Sequence, residues 1–132
     1  MTHYTKHQAE GGLDEKLPAL EVWPNQFPAY EITIEAPEFT SVCPKTALPD
    51  FGLLVLRYTP QKSCLELKSY KEYLLAYRNV GIFYENVVNR VLRDVVAACK
   101  PERASLTGVF NSRGGMSASV VATYTKKGGF GS

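Results

Sequence analysis

Histidine is almost missing from this chain of 132 residues, which has two, His3 and His7, both in a polar opening stretch. The body therefore offers no imidazole to a metal ion or to a proton relay. Cysteine is scarce and odd in number, with three residues at positions 43, 64 and 99. No CxxC pair occurs, which argues against a structural zinc site and a disulfide framework and for reduced, cytoplasmic thiols. No apolar run approaches the ~18 residues of a membrane span, and Met1 to Lys16 lack the apolar centre of a signal peptide. There is no GxGxxG, so a dinucleotide would not bind through a Rossmann turn. The formal net charge is only +2 and the basic residues are scattered, so direct nucleic-acid binding is not expected.

What is present is an ordinary globular composition, 45% hydrophobic and 21% charged. The length fits one domain, large enough to bury roughly two-thirds of its unfolded surface. Residues 1–20, with Gly11-Gly12 in the middle, read as a flexible tail, 21–127 as a single domain, and 128–132 as a frayed end.

Tyr30 to Glu35 alternates apolar and polar, the mark of a half-buried strand. Phe51 to Tyr58 is a second strand, apolar on both faces. Pro37 to Asp50 between them reads as a long, Pro-rich loop, a kind usually kept for function. Ser69 starts a helix, with Ser69 and Glu72 in the form of a capping box. A second helix, from about Ile82 to Cys99, carries an apolar stripe of Val87, Val88, Val91, Leu92, Val95, Val96 and Cys99. Leu106 to Asn111 and Met116 to Thr125 form a hairpin about Ser112-Arg113-Gly114-Gly115. The fold class is therefore α+β, in the order ββααββ. A four-stranded antiparallel sheet carries two helices on one face, its other face is small and polar, and its edges are open. Side-by-side subunits could close those edges into a ring-shaped homo-oligomeric barrel.

Four places could carry chemistry. Cys43 lies in the Pro-rich loop with Asp50 seven residues on. That pair is either a half-buried thiol beside a strand-capping Asp, or a nucleophile with a proton donor. Cys64 and Cys99 read as core residues. Glu85 falls in phase with the apolar stripe, as does Tyr84. Glu85 either complements the helix dipole or anchors a ligand presenting two N–H donors, such as the edge of a guanine-like ring. Lys68 and Lys71 flank a helix start, where the dipole disfavours cations unless an anion sits there. Arg113, in the hairpin turn, is a weaker phosphate candidate.

The segment Glu66-Leu67-Lys68-Ser69-Tyr70-Lys71-Glu72-Tyr73 resembles the signature of the NADPH-dependent 7-cyano-7-deazaguanine reductases of queuosine biosynthesis, departing only at Glu72. The Cys43 loop with Pro44, Pro49 and Asp50 is similar to that family's nucleophile loop. Tyr84-Glu85 falls where members carry an aromatic residue or His before a substrate-anchoring Glu. The resemblance spans about residues 28 to 125.

It implies the tunnelling fold, with Cys43 as nucleophile and Asp50 as general acid/base. It implies Glu85, Tyr84, Glu66 and Ser69 at the substrate, and Lys68, Lys71 and Arg113 at NADPH. The implied reaction is reduction of a nitrile to a primary amine through a covalent Cys43 thioimide, using two NADPH. Tyr84 stands where many members have a proton-transferring His, so it is expected to shape the pocket without being an obligatory donor. On the residues alone two other readings stay open, a pterin enzyme of the same fold and a non-catalytic, ring-forming purine binder.

Overall fold

A computed structural model describes residues 4–132, with the side chain of Arg113 outside that description and His3 likewise outside it. A single helical turn, α1 (Lys6–Ala9), opens the chain, and a short strand β1 (Val22–Pro24) follows. Then come β2 (Ile32–Val42), β3 (Pro49–Thr59), β4 (Ser63–Leu65), α2 (Leu67–Leu75), a 3₁₀ turn over Ala76–Asn79, and α3 (Tyr84–Cys99). The strands β5 (Arg103–Arg113), β6 (Met116–Thr125) and β7 (Gly129–Phe130) complete it.

The main sheet is antiparallel throughout, ordered β2-β3-β5-β6-β7, and β1 pairs with β4 in a small second sheet. The expected α+β class with antiparallel sheets and few helices is found. The main sheet has five strands where four were expected, and β1, β4 and the turn α1 are further additions.

One face of the sheet is buried. Leu54, Leu56 and Tyr58 of β3 align with Leu106 and Ala104 of β5 and with Ala122 of β6, as period-two alternation requires. Onto them pack Val87, Val88, Val91 and Val95 of α3, and Tyr70, Tyr73 and Tyr77 of α2 and the turn after it. Each buried Val or Leu among them stabilises the fold by about 1.5–3 kcal/mol. The other face is not the small, polar surface expected. Phe51, Val109 and Val121 stand on it, and Val121 is 62% exposed.

Several boundaries differ from the sequence reading, each for a local reason. The stretch Pro37 to Asp50 is not one long loop. β2 runs on to Val42 and β3 begins at Pro49, leaving residues 43–48 as the connection. The alternation is hidden by an irregularity between Ala36 and Phe39, around Pro37, which an edge strand tolerates because no partner needs its missing N–H. Helix α2 starts at Leu67, not Ser69, and Glu66 is its cap. The Glu66 carboxylate accepts from the backbone N–H groups of Lys68 (2.8 Å) and Ser69 (2.8 Å), so the Ser69–Glu72 capping box does not form. The hairpin turn narrows to Gly114-Gly115, both at positive φ, between the paired residues Arg113 and Met116. Within the stretch expected to be a tail, Thr5 caps α1 and Leu17 and Leu20 pack against the core.

Candidate active site

The end of β2 is held in place by backbone alone. Val42 N–H donates to the Val80 carbonyl (3.0 Å), and Ile82 N–H donates to the Val42 carbonyl (2.9 Å). This parallel bridge sets the residue after β2, Cys43, beside the run-up to α3. The connection then folds on itself. Cys43 N–H donates to the Leu48 carbonyl (2.9 Å) and Ala47 N–H to the Cys43 carbonyl (2.9 Å), with Ala47 at φ 59°. The tight loop returns the chain to β3, where Asp50 pairs across the sheet with Ser41. Asp50 is 5% exposed and Ser41 is fully buried.

The first residue of α3 closes the corner. The Tyr84 ring stacks on Phe110 of β5, centroids 3.9 Å apart at 8°. Its hydroxyl donates to Asp50 Oδ1 at 3.1 Å. The Tyr84–Asp50 bond joins α3 to β3, and Asp50 lies near enough to Cys43 for its charge to act on the thiol. The contact between Tyr84 and Asp50 is one that helical phase could not give, because it depends on where β3 passes.

Burial is the largest influence on the Cys43 thiol and pushes its pKa up. The Thr46 hydroxyl and the backbone N–H groups of Thr46 and Lys45 hydrogen-bond the sulfur and together outweigh burial, so the thiol lies below its ordinary value despite the Asp50 charge. The contrast is Cys99, which burial pushes up to about 12. Cys64 and Cys99 are both buried, as their apolar settings foretold.

A pH dependence follows. The attacking form is the thiolate, whose fraction rises as pH rises through the pKa. Alkylation of Cys43 by iodoacetamide should therefore reach its plateau at lower pH than an ordinary thiol with a pKa of ~8.5. Thr46→Val removes one stabilising hydrogen bond and should move that profile to higher pH, slowing the reaction at neutral pH. Thr46→Ser should leave it near the parent. A Thr46→Val profile identical to the parent's would show that the hydroxyl does not tune the sulfur.

Glu85 is not buried with the apolar stripe. It has the stripe's phase but is the second residue of α3, and side chains there lean toward the helix start, beyond the sheet. It is exposed and borders a recess of 340 Å³ lined by Tyr4, Ala9, Phe83 and Asn86. The costly-burial argument for Glu85 therefore falls, and what remains is an accessible carboxylate in a partly aromatic recess.

Glu66 and Ser69 are occupied in holding the start of α2. The backbone bonds to Glu66 draw its carboxyl below the usual range, the one from Lys68 most. The Ser69 hydroxyl donates to the Glu66 carbonyl (2.8 Å) and accepts from Glu21 N–H (2.9 Å).

Lys71 borders a second, larger cavity of 890 Å³ between α2 and the irregular part of β2. Arg78, in the 3₁₀ turn after α2 and passed over in the sequence reading, lines the same cavity. Tyr70 also lines it, with a buried hydroxyl that has no hydrogen-bond partner among the described residues. Lys68 is not among its lining residues, and the Arg113 side chain lies outside the described residues.

Residues 49–129 match the family described as QueF-like protein. The chain is 56% identical to the NADPH-dependent 7-cyano-7-deazaguanine reductase of Elusimicrobium minutum, covering 94% of this chain and 95% of that one. It is 53% identical to the protein of the same name from Chlorobaculum tepidum, covering 81% and 93%. Among solved structures, the apo form of the archaeosine synthase QueF-Like matches with a TM-score of 0.67 at 25% identity, covering 70% of this chain and 91% of that one.

Proposed function

This chain belongs to the QueF-like family, and we propose on that footing how its own residues perform the reaction. It is an NADPH-dependent oxidoreductase that reduces the nitrile of 7-cyano-7-deazaguanine to the aminomethyl group. In our reading the product serves the queuosine modification of tRNA, in the cytoplasm.

The observation that carries the assignment of the centre is the corner where Cys43, with a thiol below its ordinary pKa, meets buried Asp50 under the Tyr84 hydroxyl. As the Cys43 sulfur forms a C–S bond to the nitrile carbon, the ionised Asp50 takes up the thiol proton and hands it on to the nitrile nitrogen. The result is a thioimide held on Cys43. NADPH, when bound, supplies the two hydrides that bring the nitrile carbon to the amine oxidation level. After the first reduction the C–S bond breaks, the electron pair leaves with the Cys43 sulfur, and an imine remains for the second. Asp50 and water return the protons each reduction requires. Covalent capture splits one hard step into easier ones.

The cofactor phosphates find suitable partners in the 890 Å³ cavity. Lys71 and Arg78 supply positive charge there, beside the Glu35 and Glu38 that also line it. Lys68 and Arg113 remain further candidates for that role. Glu66 and Ser69 act in this reading by fixing the start of α2. The antiparallel sheet with both helices on one face fits a tunnelling fold. Its open edge at β2 and its partly apolar outer face favour assembly with further copies into a ring.

The function is tested by incubating protein, nitrile and NADPH. NADPH oxidation should depend on the nitrile and yield the aminomethyl product, and oxidation without that product would overturn the reading. Glu85 is read as the anchor of the guanine-like edge. Glu85→Gln keeps the shape but puts a donor against a donor. Losing a charged hydrogen bond costs about 1.5–3 kcal/mol, so equilibrium binding of the nitrile should weaken by about tenfold or more. Parental affinity in that variant would remove Glu85 from the substrate site.

A further inference from the structure

Residues 4–15 are bound to the catalytic domain beside the active corner. The Arg90 guanidinium on α3, its side chain only 10% exposed, donates to the carbonyls of both Gly12 and Glu15. Its Nε pairs with Asp94 at 3.3 Å, and Asp94 in turn accepts from the Tyr73 hydroxyl, which contacts that of Tyr77 at 2.9 Å. A nearly buried arginine anchored from behind, with its fork on two backbone carbonyls, is a fitted clamp. Asn86 Nδ2 adds a bond to the Ala9 carbonyl at 2.6 Å. The approach is close. Gly12 sits at φ 81°, and a Cβ there would lie 2.6 Å from the Cβ of Ile82.

The clamped segment reaches two parts of the site. Tyr4 meets Phe83 edge to face, with centroids 5.5 Å apart, two residues before Glu85. Lys45, two residues after Cys43, places its Nζ 5.0 Å from the centre of the Tyr4 ring. Tyr4 and Ala9 also border the recess that Glu85 shares.

We propose that residues 4–15 are a strap that positions the substrate end of the site. In this assignment Tyr4 ties the nucleophile loop to the start of α3, and Arg90 is the positioning residue that holds the strap. The inference rests on the reading of Cys43 and Glu85 given above. It concerns the nitrile substrate alone, because no strap residue lines the cavity containing Lys71 and Arg78.

The test uses the full chain and measures three quantities, the KM for the nitrile, the KM for NADPH, and the rate of Cys43 adduct formation without NADPH. Tyr4→Ala, at a residue 59% exposed, does not threaten the fold. It should raise the nitrile KM and slow capture about two- to five-fold, the scale of one exposed cation–π contact. The KM for NADPH should stay at the parental value. Arg90→Lys keeps the charge beside Asp94 but not the fork, and should shift the same two quantities in the same direction. Tyr4→Phe should recover most of what Tyr4→Ala loses. Parental capture and nitrile KM in Tyr4→Ala, from a parent that reduces the nitrile normally, would overturn the strap while leaving the proposed function standing. An equal rise in both KM values would also overturn it. A parent that never reduces the nitrile would overturn the function and the strap together.

Discussion

Cys43→Ala should reduce nitrile-dependent NADPH oxidation to background while leaving the protein folded and able to bind the nitrile. The thiol lies in the connection after β2, outside the packed core, so removing it opens no core cavity. Glu85, proposed as the substrate anchor, stands on another element, α3, and is untouched. Binding without turnover is therefore the expected signature, read as a parental dissociation constant beside a lost kcat. Cys64→Ala and Cys99→Ala should keep turnover. Both residues are buried, so their effect should appear as a lower melting temperature instead. If either replaced Cys43 as the essential thiol, the corner described here would not be the active site.

Asp50→Asn should be the next most damaging change. The side chain is 5% exposed, close to Cys43 in the fold, and accepts the Tyr84 hydroxyl at 3.1 Å. Asn preserves the shape but cannot hand a proton to the nitrile nitrogen. General acid catalysis contributes typically ~10²–10⁴-fold, and a rate loss of that order is expected in single-turnover adduct formation, with nitrile affinity little changed. Tyr84→Phe removes only the phenol oxygen and should retain much more turnover, since Asp50 and water remain. A Tyr84→Phe enzyme that forms the adduct but never completes reduction would show that the phenol carries a required proton. An Asp50→Asn enzyme with the parental capture rate would assign Asp50 a structural role.

How much of this was legible in the sequence depends on how local the cause was. The apolar stripe of α3 and the alternation of β5 are properties of single segments, and the structure has them where the periodicity puts them, whereas β6 buries only Ala122. The proximity of Cys43 and Asp50 was readable because a short return loop joins them. The partnership of Tyr84 with Asp50 was not, since it is created by the bridge between Val42 and Gly81 that docks one loop on another. Phase alone misjudged Glu85, because a residue can have a core-facing direction and still lie past the end of the core. The Ser69–Glu72 pattern was a genuine capping motif outcompeted by a neighbour. Glu66 sits one position before the first helical residue and takes the free N–H groups itself. The irregularity at Pro37 disguised the second half of β2 as loop. The clamp of Arg90 on Gly12 and Glu15 has no sequence mark at all, because it joins residues more than seventy positions apart.

The proposed capture of the substrate by Cys43 before reduction can be read from the intact mass of the protein mixed with 7-cyano-7-deazaguanine in the absence of NADPH. The mass should increase by one whole substrate molecule, because addition to a nitrile loses no atoms. Peptide mapping should locate the increment on Cys43, and adding NADPH should discharge it as the aminomethyl product. An unchanged mass, or an increment on Cys64 or Cys99, would contradict the account.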